Sequence, residues 1–311
     1  MGDTFPRGRL IWHELMTTDP DAAVRFYTKV VGWRVQPWEP DPTYRLWTMG
    51  GPPMGGLMRL PEDARRTGTP PYWLMYVAVP DVDATVRQAA SLGGRTCVPA
   101  QDIPVGRFAV LEDPQGAMFA LYKPAPAVDQ PPRSDEAGLG DFSWHELATT
   151  DWKKAWDFYH ALFGWEKTEA MDMGPAGVYQ MYRRGGGGKV SLGGMYEKPA
   201  EMTAPPHWLC YIQVPSADKA AETAKRLGGR VVSGPMDVPG GGRIAQCVDP
   251  QGAIFAVHSS APAARAAPKP AKAQTKAKAK TKAPKAKTKA KMKAKGKVSG
   301  KKKRPARKRR R

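Results

Sequence analysis

The chain carries the same text twice. Trp12-His13-Glu14-Leu15, followed by Thr17-Thr18-Asp19, returns 132 residues later as Trp144-His145-Glu146-Leu147 and Thr149-Thr150-Asp151. Phe26-Tyr27 and Gly32-Trp33 recur at that offset as Phe158-Tyr159 and Gly164-Trp165. Leu92-Gly93-Gly94-Arg95 recurs as Leu227-Gly228-Gly229-Arg230, and Asp113-Pro114-Gln115-Gly116-Ala117 as Asp249-Pro250-Gln251-Gly252-Ala253. The offset drifts by only a few residues, so the insertions are loop-sized. Such spacing predicts a duplication of one domain of roughly 120 residues, an ordinary domain size.

The net charge of +20 is not spread evenly. Residues 261–311 hold 23 of the 49 Lys and Arg and none of the 29 Asp and Glu, which leaves residues 1–260 at 26 basic against 29 acidic side chains, a net of −3. The body and the tail therefore call for separate partners, a polyanion in the case of the tail. Cys97, Cys210 and Cys247 form no CxxC pair and are odd in number, so reduced, structural thiols are expected. With no apolar leader and no run approaching a membrane span, the reading is a soluble, cytoplasmic protein.

Each repeat opens on a strand (Leu10 to Met16, Phe142 to Ala148) that turns at an Asp into a helix ended by Gly32 or Gly164. Strands follow at Arg45–Met49 and Gly56–Arg59, and at Val178–Tyr182 and Ser191–Tyr196. A second unit of the same shape begins at Tyr72 and at Trp208, with helices from Asp81 and from Ser216 and closing strands at Met118–Tyr122 and Ile254–His258. The pattern is β-α-β-β-β, four times over. The expected division is domain 1 at 1–124, a Pro-rich linker at 125–140, domain 2 at 141–260, and a disordered Lys/Ala-rich basic tail at 261–311. Gly185–Gly188 and Gly240–Gly242 lack the strand-before, helix-after setting of a nucleotide loop and are expected to be hairpin turns.

Paired βαβββ modules, FYxxxxGW at a helix end and a closing DPxG strand together resemble the vicinal oxygen chelate superfamily. That group includes glyoxalase I, the extradiol dioxygenases, and the fosfomycin and bleomycin resistance proteins. The resemblance spans residues 8–124 and 141–259. It implies an α+β fold of two tandem domains, each curling paired modules into a barrel-like mixed sheet around a cavity that in active members holds a divalent metal.

The family's metal ligands do not carry over. The column seven residues before the helix-opening Asp holds Trp12 and Trp144. The matching column of the next module holds Leu74 and Leu209, and the closing column, four after the Gly of DPxG, holds Ala120 and Ala256. None offers a donor to a cation, so no cofactor is expected and these six residues become candidate ligand-binding positions in an apolar pocket. Strand alternation turns His13 and His145 away from that pocket, and Trp73 and Trp208 likewise, whereas Glu14 and Glu146 share its face. A carboxyl beside indole could serve as general acid or base or could grip a ligand amine. A displaced Fe or Zn site of Glu146, His207 and His258 stays open as an alternative, since a two-His, one-carboxylate set suits either ion.

The tail resembles those of linker histones. Lys276, Lys287, Lys301, Arg304, Arg307 and Arg309 are its candidate DNA contacts, binding phosphates without sequence preference and suggesting association with the nucleoid. Two readings of the body remain: a small-molecule binding protein, or a superfamily enzyme (lyase, isomerase or dioxygenase) using Glu14 and Glu146 or a displaced metal. Two fused domains can complete each other within a monomer, with a homodimer as the other arrangement.

Overall fold

The computed structural model describes residues 6–126, 136–186 and 188–260. The basic tail, with all six residues assigned to DNA, and most of the linker lie outside the described residues.

The first repeat runs β1 (Leu10–Thr17), α1 (Pro20–Val30), β2 (Arg34–Trp38), β3 (Asp41–Thr48), β4 (Gly55–Arg59), a short α2 (Glu62–Arg66), β5 (Tyr72–Ala78), α3 (Val82–Ser91), β6 (Arg95–Ile103), β7 (Gly106–Glu112) and β8 (Met118–Pro124). The second runs β9 (Phe142–Thr149), α4 (Trp152–Phe163), β10 (Glu166–Asp172), β11 (Val178–Arg183), β12 (Ser191–Glu197), β13 (His207–Gln213), α5 (Ala217–Arg226), β14 (Arg230–Val238), β15 (Gly242–Val248) and β16 (Ile254–Ser259). Side-chain oxygens of Asp19, Asp81, Asp151 and Ser216 accept backbone N–H groups at the starts of α1, α3, α4 and α5, which explains why each helix begins where it does. Gly164 ends α4 at φ 68°, the left-handed conformation that glycine takes without a Cβ penalty.

Each repeat builds one eight-stranded curled sheet, in the order β2-β3-β4-β1-β5-β8-β7-β6 and its equivalent β10-β11-β12-β9-β13-β16-β15-β14. The centre alternates direction: β1 is parallel to β4 and antiparallel to β5, and β5 is parallel to β8. The edge strands β2 and β10 were not anticipated from sequence. Both are largely exposed, β10 is mostly polar and β2 carries Pro37 in mid-strand, so no clean apolar alternation announces them. Gly240–Gly241 form the turn of the β14–β15 hairpin, and Gly185–Gly186 lie in the β11–β12 connection, as expected.

The repeats share their cores. One buried cluster joins Val77, Val82 and Phe119 of the first repeat to Phe158, Tyr159, Phe163 and Trp165 of the second. Its counterpart joins Phe26, Tyr27, Trp33 and Trp47 to Ile212, Ala221 and Phe255. Two reciprocal seams pin this arrangement. The Tyr27 hydroxyl donates to Asp249 Oδ2 at 3.1 Å and accepts from Trp73 Nε1 at 3.0 Å. Tyr159 does the same with Asp113 (3.0 Å) and Trp208 (2.9 Å). The second oxygen of each Asp holds its own turn, Asp113 through Gln115 and Ala117 and Asp249 through Gln251, Gly252 and Ala253. The repeated FY and DPQG motifs are thus two halves of one contact, and the outward parity of Trp73 and Trp208 packs helices as expected.

No disulfide forms among the cysteines; Cys210 and Cys247 are buried, and burial pushes their thiols up to about 12 and about 11. Among the described residues no helix is long and apolar enough to cross a membrane.

Candidate functional site

Helices and the partner repeat cover one face of each sheet; the other face carries a small separate cluster. In the first repeat this cluster gathers Leu74, Tyr76, Val110 and Ala120, with Trp12, Tyr72, Phe108 and Tyr122 packed around them and still partly exposed. In the second it gathers Leu209, Tyr211 and Ala256, with Trp144, Ile244 and Ile254 around them. The three columns predicted to line a pocket therefore meet on one face, in both repeats. We call these open, aromatic-rimmed faces the cups.

A carboxyl lies in each cup. Glu14 sits on β1 between Leu74 of β5 and Gly56 of β4, and is 5% exposed. The Tyr76 hydroxyl donates to its Oε2 at 2.7 Å. The Tyr44 hydroxyl also bonds the carboxyl and accepts the Trp12 indole N–H at 3.1 Å. Glu146 repeats the device: Trp144 Nε1 donates to the Tyr179 hydroxyl at 2.7 Å, Tyr179 donates to Oε2 at 3.0 Å, and Tyr211 donates to Oε1 at 3.2 Å. Burial pushes both carboxyls above the ordinary glutamate value, and the tyrosine hydrogen bonds only partly oppose it.

Glycine makes this relay possible. Tyr44 comes from β3 and must cross β4 to reach β1. A Cβ on Gly56 would stand 1.9 Å from its hydroxyl oxygen, and a Cβ on Gly194 would stand 2.0 Å from Tyr179 Cε1. Only a residue without a side chain lets the rings lie flat across the strand.

These tyrosines and glycines escaped the sequence reading, although Tyr44 and Tyr76 recur as Tyr179 and Tyr211 at one shared offset of 135 residues. That pairing of repeated tyrosines was the available signal. The cups also differ. Tyr72, Val110 and Tyr122 of the first are His207, Gln246 and His258 in the second. Gln246 Nε2 donates to Glu146 Oε1 at 3.3 Å and to the Tyr211 hydroxyl at 2.9 Å, an interaction valine cannot make.

The metal that the fold family implies does not fit here. Indole, isobutyl and methyl groups occupy its ligand columns, leaving one carboxyl already engaged by two hydroxyls. The displaced set of Glu146, His207 and His258 is corrected by register. Gln213 of β13, not His207, lies opposite His258. His207 is six residues away along the strand, about 20 Å. Strand parity predicted the shared face correctly but says nothing of position along it. The two imidazoles bond elsewhere, His207 Nδ1 with the Pro205 carbonyl and His258 Nδ1 with Ser143 Oγ.

His13 and His145 face the core, as alternation required. Their Nε2 atoms are 2.7 Å apart, and His13 stacks on Phe142 at 3.6 Å. With Cys210 they are the one group of three potential ligands that converges among the described residues. His145 Nδ1 faces the Leu192 carbonyl at 3.1 Å, which makes it the protonated nitrogen and leaves its Nε2 to accept from His13. Burial lowers His145 to about 4, which keeps its imidazole neutral at neutral pH where it meets His13 at the seam between repeats.

Comparison with known proteins agrees with this geometry. Residues 12–122 match the family model of the glyoxalase-like domain, and residues 142–257 that of the glyoxalase/bleomycin resistance protein/dioxygenase superfamily. The chain is 36% identical over 263 residues to the "Putative glyoxylase CFP32" of Mycobacterium tuberculosis, covering 83% of this chain and 97% of that protein. It is 30% identical to the anthracycline biosynthesis protein DnrV of Streptomyces peucetius, covering 81% and 94%. Among solved structures, the Mn(II)-bound glyoxalase of Novosphingobium aromaticivorans superposes with a TM-score of 0.56 at 15% identity, covering 83% of this chain and 84% of that one. The 2,3-dioxygenase LapB of Pseudomonas sp. KL28 gives 0.54 at 15%, covering 83% and 94%. With its duplicated modules, its reciprocal seams and these matches, the chain belongs to the glyoxalase/bleomycin resistance/dioxygenase superfamily as a tandem two-domain member.

Proposed function

We propose that this protein binds flat, apolar or aromatic small molecules in its cups without a metal. The observation that carries the reading is the replacement of all three ligand columns by Trp12, Leu74 and Ala120, and by Trp144, Leu209 and Ala256, gathered on one face of each sheet. Half-exposed indole and phenol rings offer broad apolar surface at low entropic cost, and their polar tips are already directed inward. The relationship to DnrV supports a fused-ring aromatic ligand, since that relative's name places it in the making of such molecules. Titrating intrinsic tryptophan fluorescence with a panel of fused-ring aromatics tests the reading: saturable quenching, lost in Trp12→Ala and Trp144→Ala together, is the expected result.

A second reading makes the protein an enzyme with Glu14 and Glu146 as general acids or bases. It is favoured by the relay from indole N–H through tyrosine hydroxyl to a carboxyl whose burial raises its pKa toward the working range. Turnover abolished in Glu14→Gln and Glu146→Gln with binding retained would select it. The basic tail is proposed to hold duplex DNA through its phosphates. The full chain should retard DNA, less so as salt rises, and a chain ending at Ser260 should not. Shared cores support a monomer, and the tail's proposed phosphate contacts support a cytoplasmic place at the nucleoid.

A further inference from the structure

The first cup has a one-sided chemistry. Around Glu14 stand Trp12, Tyr44, Tyr72 and Tyr76, with Phe108 6.3 Å from Tyr76 between ring centroids and Trp38 5.5 Å from Tyr44. Aromatic rings carry negative quadrupole on their faces, and the carboxyl is the buried polar group among them. The titratable groups facing Glu14 are Tyr44, Tyr72 and Tyr76, with Tyr122 and Cys97 beyond them; burial pushes Tyr72 and Tyr122 up to about 12. Among the described residues no basic side chain contributes to the state of Glu14. A buried carboxyl with no counter-ion rests protonated more readily than its ordinary value allows.

We infer that the first cup is a site for an organic ammonium ion carried on an apolar aromatic frame, with its nitrogen on Glu14 among the faces of Trp12, Tyr44, Tyr72 and Tyr76. This inference rests on the binding-pocket reading and names its ligand class. The ammonium supplies the missing counter-charge, and a neutral Glu14 becomes carboxylate by releasing its proton to solvent. The Tyr44 and Tyr76 hydroxyls remain as donors to the carboxylate, which has lone pairs left for the ligand's N–H groups.

The second cup suits the same guest less well. Gln246 and Tyr211 both donate to Glu146 Oε1 while Tyr179 holds Oε2, so Glu146 has one acceptor position fewer than Glu14 to offer a ligand's N–H groups. His207 replaces Tyr72, and the positive charge of Lys198 acts on it. One ammonium-selective site per chain follows.

The probes are 1-naphthylmethylamine, a cation at neutral pH, and its neutral isostere 1-naphthylmethanol, titrated into the full chain by calorimetry in two buffers of different ionisation enthalpy. Expected is one site preferring the amine by about tenfold or more, with proton release that is larger at mildly acidic than at alkaline pH. Glu14→Gln should abolish the preference and the proton release while still binding the alcohol, which also shows that the variant is folded. If the alcohol binds as tightly as the amine, or Glu14→Gln keeps the preference, the ammonium assignment is overturned while the binding-pocket reading stands. If neither probe binds, both fall.

Discussion

The two cups hold the same carboxyl by the same relay and surround it differently. Trp12, Tyr44, Tyr76 and Glu14 match Trp144, Tyr179, Tyr211 and Glu146, but Tyr72, Val110 and Tyr122 have His207, Gln246 and His258 as their counterparts. The hydrogen-bonded contacts of the seams between repeats show no such divergence. Tyr27 with Asp249 mirrors Tyr159 with Asp113, and His13 meets His145. A buried hydrogen-bonded pair tolerates little change, because losing one partner strands the other and both would have to vary together. The open faces are free to vary, so the duplication has one scaffold and two chemistries.

The largest expected effect concerns the shared seam. His145 is neutral in the folded chain down to about 4 but takes up its proton near its ordinary value when unfolded. The unfolded state therefore binds more protons between those values, and stability falls as pH drops through that window, by up to on the order of 3 kcal/mol. Urea titrations across the window should show His145→Asn losing that dependence. Next, Tyr27→Phe and Tyr159→Phe each strand a buried tryptophan N–H and remove a donor to a buried aspartate. Each should cost about 1–3 kcal/mol, and the two costs should match if the seams are equivalent. Unequal costs would break the symmetry that the comparison assumes.

Smaller effects separate the cups. Gly56→Ala and Gly194→Ala put a methyl where Tyr44 and Tyr179 lie, at a cost of about 1–2 kcal/mol in stability. Ligand quenching of the matching tryptophan should fall with it. Smallest is Gln246→Val, which makes the second cup resemble the first. Loss of one donor to the carboxylate should raise the Glu146 pKa slightly, readable by carbon NMR of the carboxyl.

Much of this architecture was legible without coordinates. Repeated FY and DPQG motifs predicted the modules, and alternation along β1 assigned Glu14 to the cup and His13 to the core, as observed. Alternation is a statement about faces, and there it stopped. It could not reveal that β13 and β16 are offset so that His207 and His258 lie far apart. Nor could it show Tyr44 reaching over Gly56 from two strands away, a contact made by a missing side chain. The edges β2 and β10 were silent because most of their residues stay exposed, and Pro37 interrupts the pattern of β2.

The central claim is that these cups recognise an organic molecule through aromatic rings and a carboxyl, with no cation in the family's metal columns. Fluorescence titration of the full chain with a fused-ring aromatic, before and after exhaustive chelation and again with added Mn(II), Fe(II) or Zn(II), tests it directly. Affinity unchanged throughout is the predicted result. Binding that vanishes with the chelator and returns with one equivalent of metal per cup would contradict it.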